Sequence, residues 1–167
     1  MSMTNRDRAV YFLTLSGFGL LLVSLVLPVY SLTDGDVWYY WSSGSAINGS
    51  FLFVNSLSSP YAPPQIVMLA MTLIGLASSF FVLVAARKDA RNVHSMRADG
   101  ALVLAALSSF ASPVTFELMW PTWGGGFFGS SGDFTWGASY GWFLQFVSFA
   151  MFLPAAFIAV SGSRGPR

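Results

Sequence analysis

The sequence predicts an all-α membrane protein, a four-transmembrane-helix bundle with a small extracellular β-hairpin in its first outer loop. Three observations carry that expectation. The 167-residue chain is 54% hydrophobic and only 9% charged, whereas a soluble domain covers itself with roughly 25% charged residues. Its apolar residues gather into four long windows, and its mean hydropathy is +0.62. Its basic residues fall only at the termini and in the connection between the second and third windows. A single membrane domain over residues 1–167 follows.

The windows are about Ala9–Tyr30, Pro64–Ala86, Gly100–Trp120 and Ala138–Ser161. Each holds a little over 20 residues, about 30–36 Å of helix at about 1.5 Å per residue, enough to cross roughly 30 Å of hydrocarbon. Backbone polar groups in lipid must satisfy one another, so each window reads as a helix. The first is longer than a signal-peptide core and no small-residue cleavage motif follows it, so it reads as a retained span.

Charge gives the expected direction. Arg6 and Arg8 precede span 1; Arg87, Lys88, Arg91 and Arg97 lie in or beside the 87–99 connection; Arg164 and Arg167 follow span 4. The 31–63 and 121–137 connections carry Asp34, Asp36 and Asp133 but no Lys or Arg. By the positive-inside rule both termini and loop 87–99 are cytoplasmic, and the other two loops are extracellular, in a multi-pass cell-membrane protein. The six tryptophans, Trp38, Trp41, Trp120, Trp123, Trp136 and Trp142, all fall on the outer side of this scheme. A belt on one side only points to a small exterior cap with aromatic rings at its core.

Helices in lipid associate through small residues and interhelical hydrogen bonds. Span 3 places Ala101, Ala105, Ser108, Ser112 and Thr115 on one face. Span 4 offers Gly141, Gln145, Ser148, Ala155, Ala159 and Gly162, interrupted by Phe152. Span 1 has Gly17 and Ser24 in register, and span 2 has Gly75 and Ser79. Packing faces are the plain reading. A hydrophilic conduit lined by Ser108, Ser112, Gln145 and Ser148 is the sharper one. Pro28, Pro113 and Pro154 each remove a backbone donor and invite a kink.

In the first outer loop, Val37–Trp41 and Phe51–Val54 have strand composition, and Asn48-Gly49 suits a type I′ turn between them. Residues 36–58 are therefore expected to form a hairpin over the outer helix ends. The second loop, TWGGGFFGSSGDFTWG, reads as a flexible glycine-rich cap or as a contact surface. It has no Gly-Lys-Ser/Thr, which excludes a phosphate-binding loop. Asn48-Gly49-Ser50 is a possible glycosylation site at Asn48.

Chemistry is scarce. The chain has no cysteine and one histidine, His94. Thiolate catalysis, disulfides, zinc–thiolate sites and bis-histidine haem are thereby excluded, and no cofactor or metal is expected. With a net charge of +1, no nucleic-acid partner is indicated. Glu117 is the single carboxylate in the outer part of a span; two residues past Thr115, it is rotated about 200° from the small-residue face. The Arg87-Lys88-Asp89-Ala90-Arg91 run suits anionic lipid headgroups as well as topology.

The four-span layout, with a long strand-rich first loop carrying Trp38 and Trp41, resembles the claudin and peripheral-myelin-protein superfamily. That family places a Trp, a Gly-Leu-Trp and two cysteines in this loop; here the Gly-Leu and both cysteines are missing. The resemblance would place Trp41 against the bundle and implies roles in surface contact, lateral strands or larger membrane complexes. The leading expectation is thus a non-enzymatic protein acting by association. Its partners would be other membrane subunits, further copies of itself and membrane lipids. Its contact residues would be Trp38, Tyr39, Tyr40, Trp41, Phe127 and Phe128. Two alternatives stand beside it: a small transporter or channel using Glu117 and Gln145, and a subunit of a quinone-linked respiratory or oxidising complex.

Overall fold

The computed structural model describes residues 4–32, 36–38, 42–45, 50–53, 62–88, 95–120 and 127–163. Four helices are present among them: α1 (Asn5–Val26), α2 (Ala62–Lys88), α3 (Met96–Met119) and α4 (Tyr140–Ser163). All four are long and apolar enough to cross a membrane. They form a closed ring in which α2 packs on α3, α3 on α4, α4 on α1, and α1 more sparsely on α2.

Helix starts lie outside the oily windows because capping residues set them. Thr4 opens α1 with a capping box: its hydroxyl accepts from the Asp7 N–H at 3.2 Å, and the Asp7 carboxylate accepts from the Thr4 N–H at 2.9 Å. Ser95 caps α3 with its hydroxyl alone, accepting from the Ala98 N–H at 3.2 Å. Each hydroxyl satisfies a donor that has no partner inside its helix. The end of α1 corrects the expected span, because Pro28 cannot continue the helical ladder and Tyr30 leaves it for a strand.

The connections at one end of the bundle form more than the expected hairpin. Among the described residues six strands, β1 (Tyr30–Leu32), β2 (Asp36–Trp38), β3 (Ser42–Ser45), β4 (Ser50–Phe53), β5 (Gly129–Ser131) and β6 (Phe134–Ala138), make one antiparallel sheet ordered β4-β3-β2-β1-β6-β5. β3 and β4 pair antiparallel with Ser45 opposite Ser50, and the expected Asn48-Gly49 turn lies outside the described residues. The first arm of this pair is Ser42–Ser45, however, and not Val37–Trp41. The Val37 segment belongs instead to β2, which pairs with β3 on one side and β1 on the other. The second connection is likewise a hairpin, β5–β6, and it joins the first through β1–β6. Gly132 takes φ +61 in its two-residue turn, a conformation that costs glycine little and that suits the first position of a II′ turn.

Two ends of the bundle are packed differently. Near the sheet the core is aromatic: Tyr30, Phe116, Trp120, Phe127 and Trp142, with Val29 and Met68. At the other end it is built from Ala86, Ala98, Ala155, Ala156 and Ala159 with Val10, Val82 and Leu102. The described basic residues Arg6, Arg8, Arg87, Lys88 and Arg97 all belong to helix termini at this second end.

Candidate functional site

The sheet is fastened to the bundle from several directions. Tyr30 in β1 is buried, its ring 4.6 Å from that of Trp120 and 5.2 Å from that of Phe127. Phe116 lies 4.6 Å from Trp120 and 5.9 Å from Phe127. Trp142 closes the cluster from α4, and its indole N–H donates across the α3–α4 interface to the Pro113 carbonyl at 3.0 Å. Backbone bonds add to this: the Ser139 N–H donates to the Val29 carbonyl at 3.0 Å and the Gly141 N–H to the Pro28 carbonyl at 2.8 Å. Aromatic pairs at such spacings contribute about 0.5–1.5 kcal/mol each beyond the area they bury.

Register decides what the sheet shows. Cross-strand partners share a face. Tyr30 is opposite Ala138, and Leu32 is opposite Trp136, which in turn is opposite Gly129. Tyr30 is buried in the aromatic cluster, and Leu32, Trp136 and Ala138 pack against it. Ser31, opposite Gly137, and Thr135, opposite Ser130, belong to the other face by strand alternation. A concavity of 440 Å³ at the β1–β6 pair is lined from both faces, by Ser31, Leu32, Phe128, Thr135, Trp136, Gly137 and Ala138.

The expected contact residues separate accordingly. Phe127 is buried in its own chain's aromatic cluster, because the bundle needs a ring there to fill the space between Tyr30 and Trp142; this corrects its expected place on a contact surface. Phe128 is 50% exposed and overlooks the concavity. Trp38 lies in β2 opposite Tyr30. Tyr39, Tyr40, Trp41 and the Asn48 acceptor lie outside the described residues.

A second polar feature is buried one layer below the aromatic cluster. The Gln145 side-chain N–H on α4 donates to the Thr72 hydroxyl on α2 at 2.6 Å. Thr72 donates to the Met68 carbonyl at 2.8 Å and lies 3.3 Å from the Ser112 hydroxyl on α3. Ser112 donates to the same carbonyl at 3.1 Å. Three helices are thus tied at one level. The other candidate conduit residues are turned inward: Ser108 donates to the Ala105 carbonyl at 3.1 Å and Ser148 to the Leu144 carbonyl at 2.9 Å. Beneath lies an apolar cluster of Leu21, Leu76, Ala105, Ala106 and Phe152. The layer lies between two apolar regions. Thr72 was missed in the sequence, although Thr72, Gly75 and Ser79 sit at i, i+3 and i+7 on one face of α2.

The structure does not bring Glu117 to Gln145. Glu117 is exposed on the last turn of α3 while Gln145 is fully buried. Among the described residues no group of three His, Cys, Asp or Glu side chains gathers. No protein-family model matches the chain, and no curated protein matches it.

Proposed function

We propose that this is a non-enzymatic, multi-pass membrane protein that acts by association, its bundle serving as the anchor and its sheet as the contact surface. The positive-inside rule orients it with the sheet outside and the basic end in the cytoplasm of a cell membrane. The observation that carries the reading is the fusion of both outer connections into one sheet, resting on a buried aromatic cluster. Two loops built separately could each move; one sheet with an inner face spent on the bundle offers its other face as a fixed platform. Fixed surfaces lose less freedom on binding and so bind more tightly for the same contacts.

A claudin-like surface-contact protein and an accessory subunit of a larger membrane complex both fit this description. The sequence resemblance favours the first. The many exposed Phe and Leu side chains of the helices favour the second, since they could pack on lipid or on other spans. A transporter built on Glu117 and Gln145 is disfavoured by their opposite orientations. Native mass measurement after extraction in mild detergent tests the proposal. An assembly heavier than the 18.1 kDa chain, weakened by Tyr39→Ala or Trp41→Ala, is expected. A monomer under every extraction condition contradicts it.

A further inference from the structure

The α1–α2 seam is the most sparsely packed side of the helical ring, and it runs down to the basic end of the bundle. The two helices touch where Leu21 sits over Gly75; a Cβ on that glycine would come within 3.1 Å of it. Closer to the basic end the Phe18 and Phe80 rings meet across the seam at 6.2 Å. That contact fixes which faces look at each other. On α1, Arg8, Leu15 and Phe18 lie at i, i+7 and i+10, along one side of the helix. On α2, Phe80, Val84 and Arg87 lie at i, i+4 and i+7. Leu15, Phe80 and Val84 are exposed, so the seam is an apolar furrow open to the outside of the bundle.

The furrow ends on two arginines at one level. Arg8 is 13 residues from Leu21, and Arg87 is 12 from Gly75. Along antiparallel helices that is about 18–20 Å in each case, at about 1.5 Å per residue. Axes of packed helices lie about 8–10 Å apart, so both guanidinium groups can meet on one anion between them. Both arginines are exposed. Asp7 and Asp99, the described carboxylates at this end, are buried, and Asp7 is committed to the Thr4 cap. Arg8 also stands in the first turn of α1, where the helix dipole favours an anion and disfavours a cation.

The apolar furrow selects what carries the anion. A free phosphate meets the arginines and leaves Leu15, Phe80 and Val84 uncovered. A phospholipid covers both parts. Phe18 is 10 residues from Arg8, about 15 Å of helix, or half of a hydrocarbon core of about 30 Å. An acyl chain that starts at the arginines therefore runs the length of the furrow and stops at the Phe18–Phe80 pair. Guanidinium forks match phosphate oxygens, and a headgroup with no ammonium of its own leaves the full negative charge to them.

We propose that the basic end of the α1–α2 seam holds one anionic phospholipid, its phosphate between Arg8 and Arg87 and an acyl chain along Leu15, Phe80 and Val84. The site rests on the helices crossing a membrane and is independent of what the sheet contacts.

The test is native mass measurement of the detergent-purified full chain, titrated with phosphatidylglycerol or with phosphatidylcholine of the same acyl chains. One phosphatidylglycerol is expected to bind first, and more tightly than phosphatidylcholine. Arg8→Gln and Arg87→Gln should each weaken it about fivefold, the equivalent of about 1 kcal/mol per arginine at an anionic lipid. Arg97→Gln, on α3 and outside the seam, should leave it unchanged, whereas diffuse attraction to a basic surface would weaken all three alike. Equal binding of the two lipids by the unaltered chain overturns the site, and so does equal weakening by Arg97→Gln. Displacement of the lipid by millimolar glycerol phosphate also overturns it, assigning the arginines to a soluble phosphate.

Discussion

The two ends of this bundle solve the same packing problem with opposite materials. At the basic end alanines allow close helix approach, and Ala98, Ala155 and Ala159 have no exposed surface at all. At the sheet end the gap between helices is filled by Phe116, Trp120, Phe127 and Trp142. Alanines bring backbones together but leave nothing to grip a lid. Large rings hold helices further apart, and they offer faces on which a sheet can rest and N–H groups that can bond across helices. The difference teaches that the aromatic end is built for its cover and the small-residue end for the membrane.

The passage between the two shows the same logic on a smaller scale. Phe152 interrupts the small-residue face of α4, yet it is fully buried, because Gly17 on α1 faces its ring: a Cβ there would come within 2.6 Å. The apparent interruption is a knob in a hole cut by glycine. Hydrogen bonds differ as well. Gln145, Thr72 and Ser112 join α4, α2 and α3. On α1, Thr14 donates to the Val10 carbonyl at 2.7 Å and Ser24 to the Leu21 carbonyl at 2.7 Å, both within the helix.

Removing the ring that holds the lid should break the comparison most visibly. Trp142→Ala deletes the aromatic bridge and the bond to Pro113, and is expected to cost about 3–5 kcal/mol, seen as a lower denaturation midpoint in detergent and faster proteolysis of the β5–β6 hairpin. Overfilling the other end should cost less: Ala159→Leu inserts a side chain where no space is left, for about 1–3 kcal/mol. If the two ends tolerated these changes equally, the contrast would be wrong. Gln145→Leu removes one bond of the polar layer and should cost about 0.6–1.7 kcal/mol in the same denaturation assay. Arg6 donates to the Ile158 carbonyl at 2.8 Å at the C-terminal end of α4; Arg6→Ala should lose about 0.3–1 kcal/mol, less at high salt. Glu117→Gln, exposed and outside the layer, should change stability by less than about 0.5 kcal/mol.

The helices were legible because oiliness and length suffice to find a span. Their ends were less so, since Thr4 and Ser95 act through hydrogen bonds that a hydropathy window ignores. The outward position of Glu117 followed from helical rotation alone. The sheet was legible only in pieces. Phe51 and its neighbours read correctly as a strand, but β1 begins on the last residue of the first oily window, and the β1–β6 pairing joins segments about 100 residues apart. No local pattern encodes such a pairing. The β5–β6 turn did leave a signal, Gly132-Asp133 between Ser131 and Phe134, a pair that suits a two-residue hairpin. Gln145 was singled out as polar within a span, but its Thr72 partner depends on the relative height of two helices.

The account stands or falls on the sheet and the basic end lying on opposite sides of a membrane. The absence of cysteine makes that directly measurable. Single cysteines at Ser130, exposed on β5, and at Met96, 91% exposed at the start of α3, can be reacted in intact cells with a membrane-impermeant maleimide. Labelling of Ser130→Cys at once, and of Met96→Cys only after permeabilisation, is predicted. The reverse order, or labelling of both in intact cells, would contradict the arrangement and with it the outward-facing contact sheet.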